Sequence, residues 1–198
     1  MSSDGVNTGR RQFLTAATSA VGVAGLVGIA VPFVGSWNPS ARAKAAGAPV
    51  KADISKLQLG QMVVIEWRGK PVYVVHRTAE QLDDLASLND FLKDPHSEIS
   101  SQPAYITGID RSIRPEFLVL VGLCTHLGCT PKFRPEVGVA DFGGDHWKGG
   151  FFCPCHGSTF DLAGRVYSGV PASANLVVPP YSFVDDKVIV IGVDQETA

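Results

Sequence analysis

The chain has 198 residues, and its 17 Lys+Arg against 19 Asp+Glu give a formal charge of -2, which leaves none of the basic footprint that nucleic-acid binding requires. Its length suits one ordinary domain with a real core plus a short appendage, and two full domains would be cramped. All four cysteines, Cys124, Cys129, Cys153 and Cys155, crowd into one stretch of the C-terminal half, so they mark a site rather than a framework of disulfides spread over a fold.

In chain order, residues 13–34 carry no charge and are rich in Ala, Val and Gly, enough at about 1.5 Å per residue to cross a hydrocarbon core about 30 Å thick. Gly22, Ala24, Gly25 and Gly28 could offer a small-residue face to other helices. Immediately before this run, Gly9-Arg10-Arg11-Gln12-Phe13-Leu14 resembles the twin-arginine signal that exports folded proteins. Flanking charge leaves the orientation open, since Arg10 and Arg11 face Arg42, Lys44 and Lys51. The export motif decides it: N-terminus in the cytoplasm, the remainder in the periplasm, as a single pass of a bacterial inner membrane. Small-residue cleavage sites at 41–43 and 43–45 raise the alternative of a removed signal, but signal cores run about 7–15 residues, so a retained anchor is expected. Residues 38–50 are Ala-rich without apolar periodicity and read as a linker, or as one or two further turns of the anchor helix.

Beyond Val50 the pattern shifts to short extended runs. Residues 62–67 and 72–76 are rich in Val, Ile and aromatics and flank Arg68-Gly69-Lys70-Pro71, which predicts a hairpin. Thr78 with Gln81 predicts a capping box and a short helix to about Leu92. Further strands are predicted over 117–121, 150–152 and 187–191. The expected architecture is mainly β, in stacked antiparallel sheets with a short helical insertion, after a single N-terminal transmembrane helix. The expected division is 1–37 for the export segment and anchor, 38–50 for a flexible hinge, and 51–198 for the β domain.

Two boxes carry the chemistry, Cys124-Thr-His126-Leu-Gly-Cys129 and Cys153-Pro-Cys155-His156-Gly-Ser158. Each offers thiolate and imidazole ligands on a turn, with Gly128 and Gly157 allowing a tight backbone and Pro154 stiffening the second. This soft donor set fits zinc or an iron–sulfur cluster better than magnesium or calcium. The two-residue gap usual between zinc-binding cysteines is absent. His76, His96 and His146 have no cysteine nearby and read as surface or strand residues.

These two boxes resemble those of the Rieske proteins of cytochrome bc complexes, and the likeness extends through the twin-arginine start, the anchor, the Ala-rich segment and the final strands, closest to the proteobacterial branch. The resemblance implies a 2Fe-2S cluster, one per chain, held by Cys124, His126, Cys153 and His156, with Cys129 and Cys155 joined in a disulfide. Replacing two thiolates by neutral imidazoles raises the potential of such a cluster, so the implied role is electron transfer from ubiquinol to a c-type cytochrome as a subunit of quinol-cytochrome c reductase. It further implies that quinol docks at an exposed imidazole, His156 foremost and His126 beside it, and that Ser158 donates a hydrogen bond to a bridging sulfide. Leu127 would cap the cluster at the surface that docks on cytochrome b, and Pro171 would sit in a loop covering its other side, all within a dimeric, membrane-embedded complex. Two positions depart from the family pattern. Ser173 stands where relatives often have a second proline, and Phe160 where they commonly have a tyrosine that donates to a cysteine ligand. Soluble Rieske ferredoxins and ring-oxygenase Rieske domains are the rival reading, and they lack the second cysteine of each box and the anchor. A zinc-stapled binding module is the other.

Overall fold

The computed structural model describes residues 5 and 7–195, and the chain separates into two compact units, Met1–Ala45 and Ala46–Ala198. In the first unit, helix α1 spans Thr8–Gly35 (28 residues), about 42 Å at the helical rise. It begins before the apolar run because Asn7 caps it, its side chain accepting from the Arg10 amide at 3.0 Å. The twin arginines therefore occupy the first turns of the same helix. Every described residue of α1 is exposed, and it is long and apolar enough to cross a membrane. A second helix, α2, covers Ala41–Ala46, within the stretch read as a linker or as further helical turns. Ser40 caps it by accepting from the Ala43 amide at 3.1 Å, and four of its six residues are alanine, the strongest helix former.

Three three-stranded antiparallel sheets make up the second unit. β1 (Val50–Asp53), β9 (Val188–Ile191) and β8 (Tyr181–Phe183) form one in that order. β2 (Met62–Trp67), β3 (Lys70–His76) and β4 (Phe117–Val121) form another, and β5 (Lys132–Arg134), β6 (Gly150–Phe152) and β7 (Thr159–Asp161) the third. The fold is thus mainly β with stacked antiparallel sheets, as the alternating short runs predict. The β2–β3 hairpin turns on two residues rather than four. Arg68 and Gly69 both have positive φ (53° and 69°), as a two-residue primed turn requires. Lys70 and Pro71 are drawn into the strand opposite Trp67 and Glu66, and the Pro71 carbonyl accepts from the Gly122 amide at 2.8 Å.

The insertion after β3 starts as read. Thr78 and Gln81 form a reciprocal capping box (3.0 and 3.2 Å). The α-helical part, α3, stops at Asp83, however, and a 3-10 helix carries on over Asp84–Phe91. The reason is spacing: Leu85 and Leu88, both buried, are three residues apart, and a 3-10 helix stacks such positions on one side. All five residues of β4 are buried. Four of them, Phe117, Leu118, Val119 and Leu120, join Val72, Tyr73, Val74, Val75, Phe151 and Phe160 in a core that also takes in Cys124 and Cys153.

Three arginines lie within this unit with no more than 1% of their surface exposed: Arg77, Arg111 and Arg165. They converge on residues 161–165. Arg77 donates to the Leu162 carbonyl at 2.8 Å, Arg111 to the Ala163 carbonyl at 3.0 Å, and Arg165 pairs with buried Asp161 at 2.7 Å. Burial pulls the Arg77 and Arg111 guanidinium pKa values down to about 10, with neighbouring Asp161 opposing in both, so both remain cations at neutral pH. The stretch they fix leads out of β7, which itself starts one residue after the second box ends.

Candidate metal centre

The boxes lie on two loops that share one backbone design. In the first, the Gly128 amide donates to the Cys124 carbonyl (2.9 Å) and the Cys124 amide to the Cys129 carbonyl (2.7 Å). In the second, the Gly157 amide donates to the Cys153 carbonyl (2.9 Å) and the Cys153 amide to the Ser158 carbonyl (2.8 Å). Both turns close through a glycine at positive φ, 81° at Gly128 and 76° at Gly157, a conformation that a side chain would strain.

What the two loops carry decides the chemistry. Cys124 and Cys153 are free and buried, 3% and 2% exposed. Cys129 and Cys155 are joined in a disulfide, which ties the loops together. Its two sulfurs and the Cys153 thiol lie within 4.8 Å of one another, but the bonded pair has no thiolate to offer a metal. The His126 and His156 rings meet edge to face with centroids 4.7 Å apart, the first partly buried and the second exposed. Two buried thiols therefore lie on the same loops as two facing imidazoles. That is a two-sulfur, two-nitrogen donor set, and its chemistry fits a cluster in which imidazoles replace thiolates on one iron.

Polar contacts around the thiols are sparse. Burial pushes the Cys124 thiol pKa up, helped by nearby Cys153, while the His126 amide and the Ser158 hydroxyl favour its thiolate. Ser158 is fully buried and accepts from the Ala172 amide at 3.0 Å. Pro171 lies directly before the residue that bonds to it. Leu127 is 72% exposed at the tip of the first loop, and Pro171 is exposed as well. Phe160 is fully buried in β7 opposite Phe151, in the same core as both free thiols.

Residues beyond the boxes also build the site. Tyr73 on β3 stacks on Phe151 (5.6 Å) and donates to the Pro131 carbonyl (2.6 Å), pinning the chain just past the first box. Burial pushes its pKa up to about 12, and Cys153 adds to the rise. Gly122 makes room for it, because a Cβ there would overlap the Tyr73 ring. The glycine two residues before Cys124 was the available sequence signal. The remaining histidines have ordinary partners. His76 stacks on Phe117 (4.5 Å) with Nδ1 2.9 Å from the Leu57 carbonyl, His146 stacks on Phe91 (4.1 Å), and His96 is exposed.

Residues 49–182 match the family model described as "Rieske [2Fe-2S] domain", and residues 1–40 match "Ubiquitinol-cytochrome C reductase Fe-S subunit TAT signal". The ubiquinol-cytochrome c reductase iron-sulfur subunit of Allochromatium vinosum is 57% identical over 100% of this chain and 95% of its own length. The subunit of the same name from Bradyrhizobium diazoefficiens is 43% identical over 92% of this chain and 94% of its own. Among solved structures, a chain of "Hyperthermophilic respiratory Complex III" is 24% identical with a TM-score of 0.49, covering 88% of this chain and 98% of that one.

Proposed function

The chain belongs to the family of Rieske iron–sulfur subunits of ubiquinol-cytochrome c reductases, and on that premise we propose how its own residues carry electron transfer. One arrangement supports the reading above all: the two free thiols are buried on the same loops as two facing imidazoles, while the other cysteine pair is withdrawn into a disulfide. The ligands are Cys124, His126, Cys153 and His156. A 2Fe-2S cluster bound there supplies one-electron chemistry at a potential raised by its imidazole ligands.

The protein's own contribution is to separate a dry side from a wet one. Buried Cys124 and Cys153 keep the sulfur side out of water, within the core that holds Phe151 and Phe160. His156, exposed, presents its free ring nitrogen to a quinol hydroxyl, accepts a hydrogen bond from it and takes its proton. His126 stands behind as the second imidazole. Leu127 and Pro171 form the apolar rim that docks on cytochrome b and shields that proton transfer from water. The Cys129–Cys155 bridge holds the two loops in register, which suits a domain in an oxidising compartment.

α1 serves as the membrane anchor, with the N-terminus in the cytoplasm and the β unit in the periplasm. Residues 38–50 are the hinge on which the domain, 51–198, moves between cytochrome b and a c-type cytochrome in a dimeric complex that oxidises ubiquinol. Redox-monitored EPR of the membrane-bound chain tests the assignment. A reducible 2Fe-2S signal with the low average g-value of mixed sulfur and nitrogen ligation is the expected result. A protein that copurifies with zinc and stays EPR-silent on reduction would overturn it.

A further inference from the structure

The loop 169–175, which follows the second box, is fastened to three parts of the fold. Against the first box, Thr125 donates to the Ala174 carbonyl (2.5 Å), and the Ser173 hydroxyl donates to the Thr125 carbonyl (3.4 Å). Against the second, the Ala172 amide donates to Ser158 (3.0 Å). The third set comes from the end of the helical insertion. The Lys93 ammonium donates to the carbonyls of Ala172 (2.7 Å) and Val170 (3.4 Å). Asn175 donates to the Asp94 carbonyl (2.8 Å) and to Ser97 (3.0 Å), and its amide donates to Ser100 (3.1 Å).

Lys93 reaches out from a fixed base. Its amide donates to the Val166 carbonyl (3.0 Å), and the preceding residue, buried Leu92, bridges to Tyr167. Asp94 organises the turn behind it, its carboxylate accepting from the Glu98 amide (2.8 Å), the Ile99 amide (3.3 Å) and the Ser100 hydroxyl (2.5 Å). The ammonium therefore holds Ala172 by its carbonyl while the amide of the same residue occupies a lone pair of Ser158. A serine hydroxyl has one proton to give. With one lone pair engaged by Ala172, the hydroxyl keeps that proton to give on the side of buried Cys124, whose thiolate it favours.

We propose that Lys93 is a positioning residue for the cluster: by pinning Ala172 it aims the Ser158 proton at the sulfur side of the centre, and so stabilises the electron-rich reduced state. This rests on the ligand set proposed above. The same contacts give the loop a substitute for the proline missing at 173, since Ser173 and Lys93 fasten by hydrogen bonds what a second ring would have fastened by restricting φ.

The test uses the full-length holoprotein in detergent, with Lys93→Met and Lys93→Arg variants, and makes two measurements. Hydrogen exchange at residues 170–174 reads the tether itself, with or without a cluster. The midpoint potential, followed by circular dichroism, reads its effect on the centre. Lys93→Met should exchange about tenfold faster in this loop, the scale of one charge-assisted hydrogen bond, and its midpoint should move negative. Lys93→Arg should restore both. Unchanged exchange in Lys93→Met would overturn the tether, and faster exchange with an unmoved midpoint would overturn its action on the cluster. A parent protein without the Rieske spectrum would instead refute the ligand assignment, and the exchange measurement would still decide the tether.

Discussion

The two cysteine–histidine loops are copies in backbone and opposites in anchorage. Each closes on the same pair of amide–carbonyl bonds around a glycine, but the first carries its histidine two residues after the buried cysteine and the second three. The position two after Cys153 belongs to Cys155, which crosses over to Cys129 at the closing position of the first loop. The second loop runs on into β7 and the segment gripped by three buried arginines. The first is held mainly by single bonds, from Thr125 to Ala174 and from Tyr73 to Pro131. A common scaffold can therefore hold ligands in different registers, provided that a cross-link fixes the loops to each other and one of them is seated in the core.

The sharpest way to break the comparison is to contrast a free cysteine with a bridged one. Cys153→Ser removes a proposed ligand and should abolish the visible spectrum of the cluster. Cys129→Ser leaves all four proposed ligands in place and should retain a loaded, less stable protein. For a cross-link spanning 26 residues, the loss is about 3.5 kcal/mol in the chain-entropy account, measurable as a lowered thermal midpoint. Equal loss of cluster in both variants would erase the distinction between the pairs.

Next in size is the contrast in anchorage. Asp161→Asn leaves the Arg165 guanidinium buried without its counter-ion, which should destabilise the domain by about 3–5 kcal/mol. Thr125→Val deletes one hydrogen bond of the first loop and should cost about 1 kcal/mol. Chemical denaturation of the two variants checks the ratio, and similar losses would mean that the second loop is no more firmly seated than the first.

The smallest effect concerns Phe160, in the strand behind the second loop. Phe160→Tyr adds a hydroxyl in the core shared by both thiols. A donor to a ligand sulfur favours the reduced state, and about 1 kcal/mol of differential stabilisation corresponds to roughly 40 mV for a one-electron couple. The midpoint should rise by that order. A midpoint equal to or below the parent's, with the cluster fully loaded, would show that the added hydroxyl finds another partner.

Much of this site was legible because its information is local. The two boxes gathered the candidate donors, and their resemblance to the Rieske pattern implied which four would be ligands; the glycines announced the turns, and Thr78 with Gln81 announced a cap that the structure contains. What escaped were interactions between positions far apart in the chain. Arg77 and Arg165 reach partners as many as 85 and 80 residues away, and nothing in the sequence distinguishes them from solvated arginines. Strands of three residues, such as β5, β7 and β8, are too short to display a period of two. The 3-10 segment escaped because two leucines three apart fit a helix of either pitch, and only burial decides between them.

Thiol mapping tests the central claim most directly. Alkylation of the unreduced apoprotein followed by peptide mass spectrometry should label Cys124 and Cys153 alone and recover the Cys129–Cys155 peptides as one cross-linked species. Label on Cys129 or Cys155, or a disulfide joining Cys124 to any partner, would contradict the division of the four cysteines between ligand and staple.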